Sequence, residues 1–133
     1  MERHGIKTLF ERLQKQETCH FPKAGERLVA PPTHGVYVIR DPSRKVVHVG
    51  RTVRGRNGLL QRLYQHLRGQ SSFVQVHLNG NCSQLRGGYT FQYLEVPDDR
   101  ERALLECFAT AWLCPEHLGV GAKTGNANGT LAT

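Results

Sequence analysis

The sequence lacks the features of membrane, secreted and zinc-finger proteins. It has no apolar run long enough to cross a bilayer, and the segment from Met1 to Gln16 is charged throughout, unlike a signal peptide. Its four cysteines are scattered, with no Cys-x-x-Cys pair, which argues against structural zinc. These absences predict a cytoplasmic protein that does not contact a membrane.

Several common catalytic and nucleotide-binding motifs are also missing. The run Gly119–Thr124 resembles a phosphate-binding loop, but Ala122 stands where a glycine must precede the lysine. The glycines from Gly50 to Gly58 lack the Gly-x-Gly-x-x-Gly spacing of dinucleotide sites. There is no Gly-x-Ser-x-Gly elbow and no zinc deaminase signature. The sequence therefore does not predict an enzyme of any of these classes.

The size and charge of the chain indicate a small nucleic-acid-binding domain. Its 133 residues favour one domain, and its hydrophobic content of 38% is ordinary for a globular protein. The formal net charge of +7 is not ordinary, because a positive field of this size attracts polyanions. A basic but merely solvated surface has the same composition, so charge alone leaves both interpretations open.

Residue patterns along the chain predict an α/β (α+β) fold. We expect a sheet of about three strands, mixed or antiparallel, flanked by helices. The predicted helices cover 4–17, 58–68 and 98–113, the predicted strands cover 36–40, 45–49 and 89–96, and 71–78 fits either type. We divide the chain into an N-terminal helix and connector (1–33), a main domain (34–118) and a Gly/Asn-rich tail (119–133).

The predicted helix 58–68 carries the first candidate site residues. Arg62 and His66 are four residues apart and therefore share a helix face, at the border of a leucine-rich stripe. A partly desolvated guanidinium and imidazole at that border bind an anion strongly. An edge arginine that covers the core beside a hydrogen-bonded histidine has the same pattern.

Glu106 is the only charged residue between Ala103 and Cys114. Helical geometry sets it opposite the apolar face expected from residues such as Leu105 and Trp112, among small neighbours that leave room for another group. The alternative is an exposed ion pair between Glu106 and Arg102, which contributes only a few tenths of a kcal/mol.

Read together, these motifs resemble the GIY-YIG nuclease family. Gly35-Val36-Tyr37 is similar to its first motif, and Val47-His48-Val49-Gly50-Arg51-Thr52 to its second. Arg62 and His66 match its Arg-x-x-x-His element, and Glu106, ahead of Pro115, matches its metal-binding glutamate. The resemblance covers roughly residues 34–118.

The chain departs from the family pattern at two positions. His48 replaces the usual tyrosine of the second motif, as in some restriction-type members. Leu118 stands where the family tends to have an asparagine, and the nearest asparagines are Asn126 and Asn128 in the tail.

The resemblance implies a set of roles for a one-metal phosphodiester hydrolysis. Glu106 would hold one Mg²⁺ or Mn²⁺ ion, and Arg62 would pair with the scissile phosphate. Tyr37 would act as the base with His48 as its partner, and His66 would orient Tyr37 or a phosphate oxygen. The expected phosphate-binding residues are Arg51, Arg54, Arg56 and Lys123.

The sequence thus predicts a metal-dependent endonuclease acting on DNA, expected to be double-stranded. A homodimer would let so small a domain cut both strands. The first alternative is a nucleic-acid-binding module on the same fold, made inactive by the departures at His48 and Leu118. The second is a basic interaction protein with no role on nucleic acid.

Overall fold

The computed structural model describes residues 1–118. It contains a four-stranded antiparallel sheet in the order β1-β4-β2-β3, with helices on both sides. The elements in chain order are α1 (Glu2–Gln14), β1 (Cys19–His20), β2 (Gly35–Arg40), β3 (Val46–Arg51), α2 (Gly58–Leu67), a π-helical turn (Phe73–His77), a 3₁₀ turn (Cys82–Arg86), β4 (Thr90–Glu95) and α3 (Asp99–Leu113).

The central strand β2 is buried on both of its faces because each face of the sheet is covered by helices. Successive side chains of a strand point to opposite faces. Tyr37 and Ile39 accordingly pack into one hydrophobic core with the leucines of α2 and with Phe73. Val36 and Val38 pack into a second core with residues of α1 and α3. The molecule is therefore a three-layer sandwich.

Local turn and cap chemistry fixes the ends of the elements around the site. The turn between β2 and β3 forms because Oδ1 of Asp41 accepts hydrogen bonds from the backbone N–H groups of Ser43 and Lys45, both at 2.9 Å. Helix α3 begins at an N-cap in which Asp98 accepts the N–H of Glu101 at 2.9 Å, as its sequence predicts. It ends at Cys114, whose φ of 49° breaks the helix before Pro115.

The predicted α/β class with helices flanking a small sheet is confirmed, whereas the predicted strand count was one too low. The missed strand, β1, has only two residues, too few to show a periodic pattern, and it is recruited by pairing with Phe91 and Thr90 of β4. The ambiguous segment 71–78 contains the π-helical turn. No helix among residues 1–118 is long and apolar enough to cross a membrane.

The apolar face predicted for α3 was partly wrong, because Leu105 is buried as expected but Trp112 is not. The fully buried residues of α3 are Arg102, Leu105 and Ala109, whereas Trp112 is 67% exposed. Arg102 is buried because its guanidinium donates to the backbone carbonyls of Thr52 (3.0 Å), Val96 (3.0 Å) and Pro97 (2.9 Å) and pairs with Asp99. The alternative of an exposed Arg102–Glu106 pair is therefore wrong as well.

Candidate active site

A cleft of about 680 Å³ opens beside the edge strand β3 and contains most of the candidate residues. Side chains from both faces of β3 reach it. Gly50 shares a face with Tyr37, to which it is paired in register, while Arg51 points to the other face, where α3 lies. The lining residues are Tyr37, His48, Val49, Gly50, Arg51, Arg62, Ser72, Glu106, Cys107, Thr110, Ala111, Pro115, His117 and Leu118.

Gly50 makes room for the Tyr37 side chain at the floor of the cleft. A Cβ atom at position 50 would lie 2.4 Å from the Tyr37 hydroxyl oxygen and 3.1 Å from Nε2 of His48. No side chain fits there without displacing both rings. The glycine of the second motif thus lets Tyr37 and His48 approach one point on the cleft floor.

A hydrogen-bond chain runs from the cleft into the core through Tyr37. Nε of Arg62 donates to the Tyr37 hydroxyl oxygen at 3.2 Å, and that hydroxyl lies 2.8 Å from Nε2 of His66. Nδ1 of His66 lies 2.7 Å from the Ser71 hydroxyl. Since burial lowers the pKa of His66 well below its ordinary value, its ring is neutral, and one of its two nitrogens donates while the other accepts in these contacts.

The helix pattern had placed His66 at the border of the core, but the structure places it inside the core. It is fully buried and does not line the cleft. Its contact with Tyr37 agrees with the expectation that His66 orients this tyrosine. The hydroxyl of Tyr37 is hydrogen bonded to His66, whereas the Tyr37 and His48 rings are 5.8 Å apart between centroids.

Tyr37 is protonated over the physiological pH range. Burial raises the pKa of its phenol to about 12, although the adjacent Arg62 works in the opposite direction. The carboxylate of Glu106, which lines the same cleft, also raises this pKa. Tyr37 therefore serves better as a hydrogen-bonding group than as a base.

His48 is a neutral, buried imidazole. Its ring stacks on Phe73 at 4.9 Å between centroids, and neither ring nitrogen has a hydrogen-bond partner within residues 1–118. Burial lowers its pKa to about 3, with further contributions from His117, Arg62 and His77. Its ring is therefore neutral throughout the physiological range, where it can accept a hydrogen bond but is a weak base.

The buried histidines predict that the protein loses stability in acid. Unfolded histidine takes up a proton below its ordinary pKa of 6.5, whereas folded His48 stays neutral down to about pH 3. Folding therefore opposes protonation, and the stability that is present above pH 6.5 is lost as the pH falls below it. The slope is about 1.4 kcal/mol per pH unit for each such histidine.

We expect urea denaturation between pH 7 and pH 5 to show this slope. His48→Gln is expected to reduce the pH slope of the unfolding free energy by the contribution of one histidine. The same change at the exposed His4 should leave the slope unaltered. Equal slopes for His48→Gln and wild type would contradict the neutral state of His48.

Glu106 is the only carboxylate that lines the cleft among the described residues. Its Oε1 atom pairs with Arg51 at 2.5 Å, and about a quarter of its side chain is exposed. No three His, Cys, Asp or Glu side chains of residues 1–118 converge as a closed metal site. A single half-open carboxylate suits Mg²⁺, which keeps several waters and takes substrate phosphate oxygens as ligands. The donors thus fit the expected ion.

The structure does not bring all of the expected phosphate-binding arginines to the cleft. Arg51 lines it, whereas Arg54 and Arg56 lie in the exposed loop that follows β3 and do not. Both still extend the positive surface next to the cleft. Lys123, Asn126 and Asn128 lie outside the described residues.

Sequence reasoning missed His117, which is buried in the cleft wall. Nothing in the local pattern pointed to it, because the segment after Pro115 has no periodicity and is positioned by backbone hydrogen bonds to β3. The chain matches no protein-family model, and no curated protein matches it. The functional argument therefore depends on the motifs and on the geometry of the cleft.

Proposed function

We propose that this protein is a divalent-metal-dependent endonuclease of the GIY-YIG type that hydrolyses phosphodiester bonds in DNA. The observation that carries the proposal is the convergence of Tyr37, His48, Arg62 and Glu106 on one cleft, from four different elements. In addition, His66 holds Tyr37 from behind. Cationic, acidic and titratable side chains that line one cleft are candidates for a shared chemical role.

Arg62 is the proposed phosphate clamp. Its Nε atom is engaged with Tyr37 and its Nη1 atom with Gln65 at 2.8 Å, so the guanidinium is held in place before substrate arrives. A guanidinium held in this way stabilises charge that develops on phosphorus without reorganising. Arg51, on the other side of the cleft, is a second cation for the same phosphate.

Glu106 would hold the Mg²⁺ or Mn²⁺ ion. When bound, such an ion neutralises charge on the phosphate and lowers the pKa of a water molecule. The ion pair between Arg51 and Glu106 is consistent with this role, since the carboxylate attracts a cation in the absence of metal. Binding of metal there would free Arg51 for the phosphate.

His48 is proposed to accept a hydrogen bond from the attacking water, with Tyr37 positioning the water or the phosphate. Neither residue keeps the role of base expected from the sequence, because burial raises the pKa of Tyr37 to about 12 and lowers that of His48 to about 3. In the reaction an O–H bond of water breaks, its proton moves to solvent, and its oxygen bonds to phosphorus. The bond from phosphorus to the leaving oxygen breaks, and that oxygen takes a proton from solvent.

A nucleic-acid-binding module without catalysis is the second candidate. The observations that favour it are the neutralisation of Glu106 by Arg51 and the leucine at position 118, which lines the cleft where the family tends to have an asparagine. Binding would then depend on Arg62 and the basic loop, and would weaken steeply as salt rises.

The test is incubation of a supercoiled plasmid with the full chain in Mg²⁺, in Mn²⁺ and in EDTA. We expect nicked and linear products with either metal and intact plasmid in EDTA. Salt-sensitive retardation of DNA without cleavage in any metal would select the binding module. If the DNA is neither cut nor retarded, the protein acts on another partner. Linear product formed without a nicked intermediate would indicate that two copies act together.

A further inference from the structure

His117 lies beside His48 in the wall of the cleft. The N–H of His117 donates to the carbonyl of Val47 at 2.9 Å, and the N–H of Glu116 donates to Val46 at 3.3 Å. These two bonds hold the chain along the outer edge of β3, one residue from His48. The two imidazole centroids are 5.5 Å apart, with the ring planes inclined at 44°.

The two rings share an unusual property, which is that three of their nitrogen atoms are buried without a partner. Nδ1 and Nε2 of His48 and Nδ1 of His117 form no hydrogen bond within residues 1–118. Both side chains are more than nine-tenths buried, at 6% and 3% exposure, yet both line the cleft. Leaving such an atom unsatisfied costs about 1–3 kcal/mol. A polar ligand that bonds to these ring nitrogens would remove that cost.

His117 also has a second contact that orients its ring. Its Nε2 atom lies 3.4 Å from the hydroxyl of Ser72, another residue of the cleft. With Nε2 turned towards Ser72, the opposite ring nitrogen, Nδ1, is the one left without a partner. His117 is therefore fixed from two sides, by β3 and by the segment that precedes the π-helical turn.

We propose that His48 and His117 form a paired site for the attacking water, in which both are positioning residues. The inference rests on the proposed function and adds a residue to it. The water donates a hydrogen bond to a His48 nitrogen and is held by His117 through Nδ1. One O–H bond of the water breaks as its oxygen bonds to phosphorus, and the proton leaves to solvent through the cleft.

The charged and titratable groups around the pair come from every neighbouring element. They are Tyr37 from β2, Lys45 from the turn before β3, Arg62 and His66 from α2, His77 from the π-helical turn, and Glu116. Burial lowers the pKa of His117, with a further contribution from His77, so both rings are neutral before the reaction. The nearby cation of Arg62 also lowers the pKa of His48, so this ring acts as a neutral hydrogen-bonding group.

The first experiment compares His117→Ala with His77→Ala in steady-state cleavage. We expect His117→Ala to lower kcat by at least about tenfold with KM unchanged, because a misplaced attacking water reacts more slowly. Added imidazole should restore part of that loss. His77→Ala, which removes a neighbouring imidazole that does not line the cleft, should cleave like wild type. Wild-type kcat in His117→Ala, or a loss that imidazole does not relieve, would overturn the proposal.

The second experiment does not depend on activity. The ring nitrogens of the histidines are labelled with ¹⁵N, and the tautomer of His48 is read by NMR in wild type and in His117→Phe, which keeps an aromatic ring but removes its nitrogens. We expect one dominant tautomer in wild type and a mixture in the variant. Identical His48 tautomer populations would overturn the pairing even if His117→Ala does not fold. Absence of cleavage by wild type would reject the proposed function alone, and the NMR result would still decide the pairing.

Discussion

Replacing Glu106 by glutamine is expected to reduce metal-dependent cleavage of DNA by at least about 10³-fold. The substitution keeps the size of the side chain and removes the one carboxylate of the cleft among the described residues. A divalent cation contributes several kcal/mol of charge stabilisation to hydrolysis, and each 1.36 kcal/mol corresponds to about tenfold in rate. The measurement is the initial rate of plasmid nicking over a range of Mg²⁺ concentrations.

The matched control is Glu101→Gln, the same change at an exposed position of α3. It should cleave like wild type. Because Glu106→Gln leaves Arg51 without its partner, the variant is also expected to bind DNA at least as tightly as wild type. Equal cleavage by the two variants would show that Glu106 does not hold the metal, whereas a parallel loss of binding would point to a role in positioning DNA.

Replacing Arg102 by methionine is expected to lower the free energy of unfolding by about 3–5 kcal/mol. Methionine preserves most of the apolar stem but donates no hydrogen bond. The carbonyls of Thr52, Val96 and Pro97 would then lose their charged donor at the junction of β3, β4 and α3. Urea denaturation followed by circular dichroism measures the change.

Arg100→Met is the control for this prediction. Arg100 lies two residues earlier on the same helix and pairs with Glu2 at the surface, where both side chains are more than half exposed. Its loss should leave the urea midpoint nearly unchanged, because exposed ion pairs contribute little. Similar midpoints for the two variants would mean that water replaces Arg102 in solvating these carbonyls.

The elements that were predicted correctly are those governed by local interactions. One is the turn at Asp41–Arg44, between the predicted strands 36–40 and 45–49, and another is the start of α3 at Asp98. Both depend on side chains that bond to backbone atoms a few residues away. Helix α2 was predicted to begin at Gly58, as it does, from the spacing of its leucines. The four-residue spacing of Arg62 and His66 likewise set both on the side of α2 that meets Tyr37.

The environments of the site residues could not be predicted in the same way. Charge in the sequence suggested a solvent-facing Arg102, but the carbonyls of Thr52, Val96 and Pro97 hold its guanidinium in the interior. The helix pattern left His66 at the border of the core, but contacts with Phe73, Tyr37 and the Ser71 hydroxyl bury it. The expected base was affected for the same reason, since burial raises the pKa of Tyr37, lowers that of His48 and leaves neither suited to take a proton at neutral pH.

The sequence by itself determined the order of the three α-helices and of strands β2, β3 and β4, the turn between β2 and β3, and the helical spacing of Arg62 and His66. These features follow from backbone geometry and neighbouring side chains. The tertiary structure alone decided which side chains lose contact with water and which meet across the cleft. His117 is the plainest example, since two hydrogen bonds to the edge of β3 bring it beside His48. Desolvation and long-range pairing depend on the whole packed chain, and they control the pKa values and the contacts on which the proposed chemistry depends.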